Sequence, residues 1–156
     1  MLSKLEAVWL ACAVDCDGHV GMKLQQSKRK GKNYEYALPL LGFSNTSNPM
    51  ARQFGKLIES KVHPLKEVYP YEKKKINRTS TSGTRKIKSL LEQIIPHMIA
   101  KRKRAEFVLA FCNHKLSAPG DHRKGRSDRL DKDLEWFREY QELFPSHKRN
   151  RREDPP

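Results

Sequence analysis

The chain has 156 residues, with 32 Lys and Arg against 18 Asp and Glu and a formal net charge of +14. This length fits one domain around one core, and the longest unbroken apolar run, Ala7 to Val14, is too short for a membrane span or a signal-peptide core. A soluble, intracellular protein with no membrane contact and no secretion is therefore expected; self-repulsion at this charge points to a polyanionic partner.

Leu2, Leu5, Trp9 and Cys12 recur at helical spacing, with Ala7, Leu10 and Val14 as a second stripe roughly opposite. The pattern predicts a helix over 2–14 that is buried on both sides, ended by Gly18 as a C-cap. Val20, Met22 and Leu24 then alternate with Lys23, Gln25 and Ser27, which predicts a half-buried strand. The stretch from Lys28 to Asn33 reads as a hairpin loop. Tyr34 to Ser44 reads as a second strand, with Ala37, Pro39, Leu41 and Phe43 on one face and Tyr36, Leu38, Leu40 and Ser44 on the other. Pro39 suggests an edge position.

Asn45-Thr46-Ser47-Asn48-Pro49 supplies the start of a second helix whose buried stripe is Met50, Phe54, Leu57 and Ile58. Two short strands are expected over 66–71 and 75–81, followed by helices over 84–95, 99–113 and 131–144, the last with Leu134, Phe137 and Tyr140 as its stripe. The order is helix, two strands, helix, two strands, helices. It predicts an α+β fold in which a four-stranded antiparallel sheet is covered by helices on one face. One domain over 1–144 and a basic C-terminal tail over 145–156 follow from the charge run Lys148, Arg149, Arg151 and Arg152 beside Pro145 and Pro155. Three further acid-free basic blocks fall between apolar segments: Lys23 to Lys32, Lys73 to Lys88, and Lys101 to Arg104.

Leu10-Ala11-Cys12-Ala13-Val14-Asp15-Cys16-Asp17-Gly18 carries the most chemistry. Carboxylates at a helix C-terminus face roughly half a negative charge from the backbone dipole and lose several tenths of a kcal/mol. A divalent cation would reverse that penalty. A solvated Asp-x-Asp-Gly turn is the plainer reading, but the small residues Ala11, Cys12 and Ala13 permit close helix approach, so these are not ordinary surface acids.

The segment resembles the signature of the LAGLIDADG homing endonuclease family, matching it at Leu10, Ala11, Asp15, Asp17 and Gly18 and conservatively at Val14. Phe43-Ser44-Asn45-Thr46 looks like the family's strand-to-helix turn, Lys86 to Pro96 like its fourth-strand-to-helix segment, and Lys101-Arg102-Lys103-Arg104-Ala105-Glu106 like the basic run that follows. Together these cover about residues 5–112. Cys12 stands where the family has a glycine that lets two motif helices touch, Ala13 where it has a larger apolar residue, and Cys16 where it has Ala or Gly.

The resemblance implies the αββαββα saddle fold, double-strand cleavage of a long pseudo-palindromic DNA site, and a homodimer formed through the motif helix at Leu5, Trp9 and Cys12. It implies Mg²⁺ as cofactor, with Mn²⁺ or Ca²⁺ able to substitute for binding, held by Asp17 and the Cys16 backbone carbonyl. Asp15 would support the helix end. Lys101 would stabilise charge near the scissile phosphate, and Asn45 would position solvent, although a helix-capping Asn and a solvated Lys are the plainer readings. The free sheet face would read DNA through Lys23, Gln25, Ser27, Arg29, Tyr36, Leu38, Leu40, Ser44, Lys73, Lys75, Arg78 and Ser80, since Lys and Arg suit guanine and Gln suits adenine. At least half of the basic ones would touch only phosphate. A maturase of the same fold that binds intron RNA, and an inactive DNA-binding protein of that fold, stay open. A zinc nuclease built on Cys112, His114 and His122 lacks a regularly spaced fourth ligand.

Overall fold

The computed structural model describes residues 1–29, 32–66, 75–117 and 126–145. The first helix, α1 (Lys4–Cys16), starts at a capping box: Ser3 Oγ accepts from the Glu6 amide, and the Glu6 carboxylate accepts from the Ser3 amide at 2.8 Å. It runs two residues past the expected end and is capped at Asp17. Gly18 is needed there for space, because a Cβ would sit 2.5 Å from the Val14 Cα. The chain thus passes from the helix directly into β1 (Gly18–Arg29).

Strand β1 pairs antiparallel with β2 (Lys32–Asn45) along its whole length, so most of the expected loop is strand. Helix α2 (Asn48–Leu57) follows, with Asn45 Oδ1 accepting from the Ser47 amide at 2.7 Å and Pro49 in its first turn. Strand β3 is Val62–Lys66, earlier than expected; residues 67–71 lie outside the described residues. Strand β4 (Lys75–Thr81) inserts between β2 and β3, giving the antiparallel order β1-β2-β4-β3. Pro39 therefore sits in an inner strand rather than an edge strand. It is tolerated because β4 pairs with β2 only from Leu41 to Asn45, so at Pro39 one side of β2 has no strand neighbour among the described residues.

Helix α3 (Thr84–Ile94) ends in a 3₁₀ turn at Ile95–His97. Helix α4 (Arg102–Ser117) begins three residues later than its periodicity suggests, and α5 (Arg126–Leu143) begins five earlier. The delay in α4 has a chemical cause: the amides of Ile99, Ala100 and Lys101 are taken by the Asp15 carboxylate.

The sheet's inner face contributes Val20, Met22, Ala37, Leu41 and Phe43 to one core with Leu10 and Val14 of α1, Phe54 of α2, Leu91 of α3 and Phe111 of α4. Phe43 and Phe54 stack with ring centroids 4.8 Å apart. Helix α5 joins through buried Tyr140, while Trp136 and Phe144 pack edge-on against Phe107. Between α4, α5 and the sheet, Lys115 Nζ donates to Asp133 Oδ2 at 2.7 Å and to the Ala37 carbonyl at 2.6 Å. The fold is α+β with a four-stranded antiparallel sheet and five helices, as expected. Among the described residues no helix is long and apolar enough to cross a membrane.

Candidate nucleic-acid and metal site

The end of α1 is held by two side chains whose roles the local sequence does not reveal. Asp15 Oδ2 accepts the amides of Ile99 at 2.6 Å and Ala100 at 3.2 Å, and Oδ1 accepts the amide of Lys101 at 2.9 Å. Burial pushes this carboxyl's pKa up, but the amides of Ile99, Lys101 and Ala100, helped by the Lys101 charge, outweigh burial and leave it below the ordinary carboxylate value. Lys101 returns the contact. Its Nζ donates to the carbonyls of Val14 at 2.7 Å, Asp15 at 2.9 Å and Gly18 at 2.9 Å, with the Cys16 carbonyl at 3.4 Å. A cation on the exposed carbonyls of a helix C-terminus satisfies both the hydrogen bonds and the dipole. Burial lowers the Lys101 pKa, with Asp15 opposing and Arg104 adding to the fall.

Lys101 is therefore not a solvated helix-start lysine. Its ammonium is bonded to the helix end, one residue from Asp17. The Cys16 carbonyl that the resemblance gives to a metal faces this ammonium; a carbonyl oxygen has two lone pairs, so one remains.

Asp17 projects from the capped end and is exposed. Asn45 Nδ2 donates to its Oδ2 at 2.8 Å, while Asn45 Oδ1 receives the Ser47 amide. The N-cap of α2 is Ser47, so Asn45 is not the capping residue expected; it ends β2 at the turn before the helix and joins that turn to the Asp17 carboxylate. Asp17 Oδ1 takes no hydrogen bond from the described residues. One free carboxylate oxygen suits an oxygen-seeking divalent cation, which takes one or two carboxylates and completes its shell with water and phosphate oxygens. Among the described residues no three His, Cys, Asp or Glu side chains gather.

The strand register assembles the outer sheet face. Directly opposed residues of an antiparallel pair share a face, and the pairs Lys23 with Leu38, Gln25 with Tyr36, and Ser44 with Arg78 bring together residues expected there. Leu40 lies opposite Gly21, and Ser80 opposite Gly42, on the same face. Ser27 lies opposite Tyr34 near the hairpin end. Arg29 ends β1 opposite Lys32, in phase with Gln25 and Ser27, whereas Lys75 opens β4 opposite Lys66 and, three residues from Arg78, shares the face of Asn77 and buried Thr79, so period-two alternation removes it from the expected outer set; Lys73 lies outside the described residues. His19, which the sequence reading omits, shares this face two residues beyond Asp17. Extending the period-two alternation back from Lys23 would have found it. Crowding by surrounding atoms, then the charges of Arg104, Lys101 and Arg78, hold its pKa below the ordinary histidine value.

The exposed side of α1 is the third component. Leu5 is 82% and Val8 42% exposed, Cys12 and Cys16 are exposed, and Trp9 packs only in part against the core. The opposite side, Leu10, Ala11, Ala13 and Val14, is buried in this chain. The zinc reading weakens on geometry: Cys112 is buried, its thiol pushed up to about 12 by desolvation, and His122 lies outside the described residues.

No protein-family model and no curated protein matches the sequence. Solved structures do match the fold. The homing endonuclease I-CvuI, in complex with the I-CreI target in the presence of Mg with the DNA not cleaved, aligns with a TM-score of 0.68 at 18% identity over 94% of this chain and 86% of that one. An archaeal intron-encoded homing endonuclease, I-Vdi141I, complexed with DNA, aligns at 0.65 and 11% identity over 96% and 89%. The LAGLIDADG homing endonuclease I-GzeII, in complex with its DNA target, aligns at 0.60 and 11% identity over 89% of this chain and 48% of that one. At these identities the likeness establishes that the fold is that of LAGLIDADG homing endonucleases.

Proposed function

We propose that this chain is a sequence-specific DNA endonuclease that works as a homodimer and cuts both strands of a long pseudo-palindromic site with Mg²⁺. The observation that carries the reading is the Asp17 carboxylate, exposed and half-coordinated by Asn45, at the end of a helix whose outer stripe is apolar and solvent-exposed. A second copy packed along that stripe buries Leu5 and Val8, with Trp9 between them, and brings the two Asp17 carboxylates together. The DNA complexes of the similar structures support DNA as the partner.

In this reading Asp17 holds the divalent cation with its free oxygen, as Asn45 fixes the other, and the Cys16 carbonyl lies beside it. The bound metal supplies an activated water and charge stabilisation for the leaving 3′ oxygen. Lys101 keeps the helix end rigid and sets a positive charge next to the carboxylate, where negative charge develops on the phosphate. Lys23, Gln25, Ser44 and Arg78, with Tyr36, Leu38 and Leu40 between them, face the major groove. Ser27 and Ser80 extend the same surface, and Arg29 stands at the register position of β1 that continues it.

The test uses the intron-free allele of the host gene as substrate, with the wild type and Asp17→Asn. The wild type is expected to cut both strands in Mg²⁺. Asp17→Asn should bind the same DNA in Ca²⁺ yet leave it intact, because the amide cannot hold the cation. Binding without cleavage by the wild type in both Mg²⁺ and Mn²⁺ would sink the endonuclease reading and favour an RNA-binding or inactive DNA-binding protein.

A further inference from the structure

The outer stripe of α1 contains a feature that neither DNA binding nor cleavage uses. Leu5, Trp9, Cys12 and Cys16 follow one another at spacings of four, three and four residues, the a/d seam of a helix that packs lengthwise against another. The seam begins with exposed leucine and ends in two exposed thiols, one turn apart, beside the candidate metal ligand. The third thiol, Cys112, is buried in the core on α4, away from this seam.

On the dimeric reading of the previous section, the relative direction of the two helices is set. Each α1 runs straight into β1 at Gly18, so its C-terminal end marks the sheet that faces DNA. Two sheets can face one duplex, with two Asp17 side chains converging, only if the two α1 helices run parallel about the two-fold axis. In a parallel pair each seam residue meets its own counterpart. Helix axes roughly 8–10 Å apart, with Cα atoms about 2.3 Å from each axis, leave facing Cα atoms roughly 3.4–5.4 Å apart, the wider half of that range falling within reach of a disulfide. A disulfide spans Cα separations of about 4.4–6.8 Å.

We propose that Cys12 and Cys16 form a thiol cluster with their counterparts in a second copy of this chain, and that oxidation joins the two copies by a disulfide across the two-fold axis. The reaction is thiol–disulfide exchange with a small disulfide such as oxidised glutathione. One cysteine forms a mixed disulfide and releases the first reduced glutathione; its counterpart then attacks that bond, forms the inter-chain S–S bond and releases the second. Two thiols of the protein are oxidised, one small disulfide is reduced to two thiols, and each proton passes to a departing thiolate. The linked pair no longer dissociates on dilution, because the second copy is held at a high effective concentration. An oxidised cell compartment would thus keep the nuclease assembled at chain concentrations where the reduced dimer falls apart.

The experiment treats the full chain with oxidised glutathione and reads three quantities together: sedimentation of the reduced protein, free-thiol content, and a denaturing gel without reductant. The expected result is a dimer in sedimentation and a gel band at twice the 18.2 kDa chain mass, reversed by dithiothreitol. That band should be lost in Cys12→Ser/Cys16→Ser and kept in Cys112→Ser. The oxidised wild type should stay dimeric at nanomolar concentration where the reduced protein does not. A reduced dimer that yields no linked band overturns the disulfide and leaves the proposed function standing. Thiol loss without the band, as from a bond within one helix or a stable glutathione adduct, also overturns it. A reduced protein that sediments as a monomer removes the dimer on which both readings rest.

Discussion

Asp15 and Asp17 are two residues apart and chemically alike, yet they have separate tasks because their surroundings differ. Asp15 points back into the fold and accepts three backbone amides at the start of the α4 connection, whereas Asp17 points out and keeps an oxygen unclaimed by the described residues. Replacing Asp15 by Ala leaves those amides without their acceptor, and hydrogen bonds to a charged group contribute about 1.5–3 kcal/mol. We expect Asp15→Ala to be less stable by about that amount near neutral pH, measured by urea unfolding. The pH dependence has a defined sign. The Asp15 pKa is depressed on folding, so its contribution is complete above the unfolded value of about 3.9 and is lost as the pH falls through the lower folded value. The stability gap between wild type and Asp15→Ala should therefore close in acid. A gap that persists unchanged at pH 2 would show that its origin is not the ionised carboxylate.

At the level of elements, a buried ion pair ties the C-terminal helix to the sheet. Asp133 is 3% exposed and bonded to Lys115, which also bonds the Ala37 carbonyl on the stretch of β2 that β4 does not reach. The pair does for β2 what a fourth strand neighbour does elsewhere, supplying a donor to an inner carbonyl. Removing one partner of a buried pair strands the other and costs about 3–5 kcal/mol, whereas replacing both with apolar groups can be close to neutral. Lys115→Met should accordingly be strongly destabilised in denaturant unfolding, and Lys115→Leu/Asp133→Leu should recover most of the loss. If Lys115→Met unfolds like the wild type, α5 is held by its aromatic contacts with Phe107, Phe111 and His114 of α4 rather than by the pair.

For the molecule as a whole, one chain has its core complete and its surface divided: a polar and basic outer sheet face, one half-coordinated carboxylate, and one apolar stripe on α1 facing solvent. In the proposed dimer a second copy would cover the stripe and double both the carboxylate and the +14 charge. Sedimentation at micromolar concentration should give a dimer, and Leu5→Glu, which sets like charges against each other across the seam, should give a folded monomer that no longer cuts DNA. Leu5→Glu that remains dimeric would place the interface elsewhere. DNA affinity should fall with salt at a log-log slope of roughly −0.9 per phosphate neutralised; a flat response would remove the basic face from the interface.

Much of this was legible in the chain. Period-two alternation identified β1, β2 and their outward residues, since a strand's faces are set by parity alone. The apolar, two-sided pattern of α1 and the acids at its end marked the site. Less legible were features that depend on partners distant in sequence. Pro39 looked like an edge residue because nothing local reveals that β4 stops pairing at Leu41. The start of α4 was misplaced because its first amides bond to Asp15, more than eighty residues earlier. Lys101 read as one lysine in a basic run, yet its ammonium closes the end of α1. The sequence by itself determined which strand faces turn inward and where two carboxylates meet a helix end, because these follow from periodicity and backbone geometry, but not which apolar helix residues are covered, since Leu5 on α1 and Met50 on α2 stay exposed. Only the tertiary structure supplied the donors behind the division that the family resemblance implies, three backbone amides on Asp15 and, among the described residues, the Asn45 amide on Asp17, because that depends on which groups the folded chain brings within hydrogen-bonding distance.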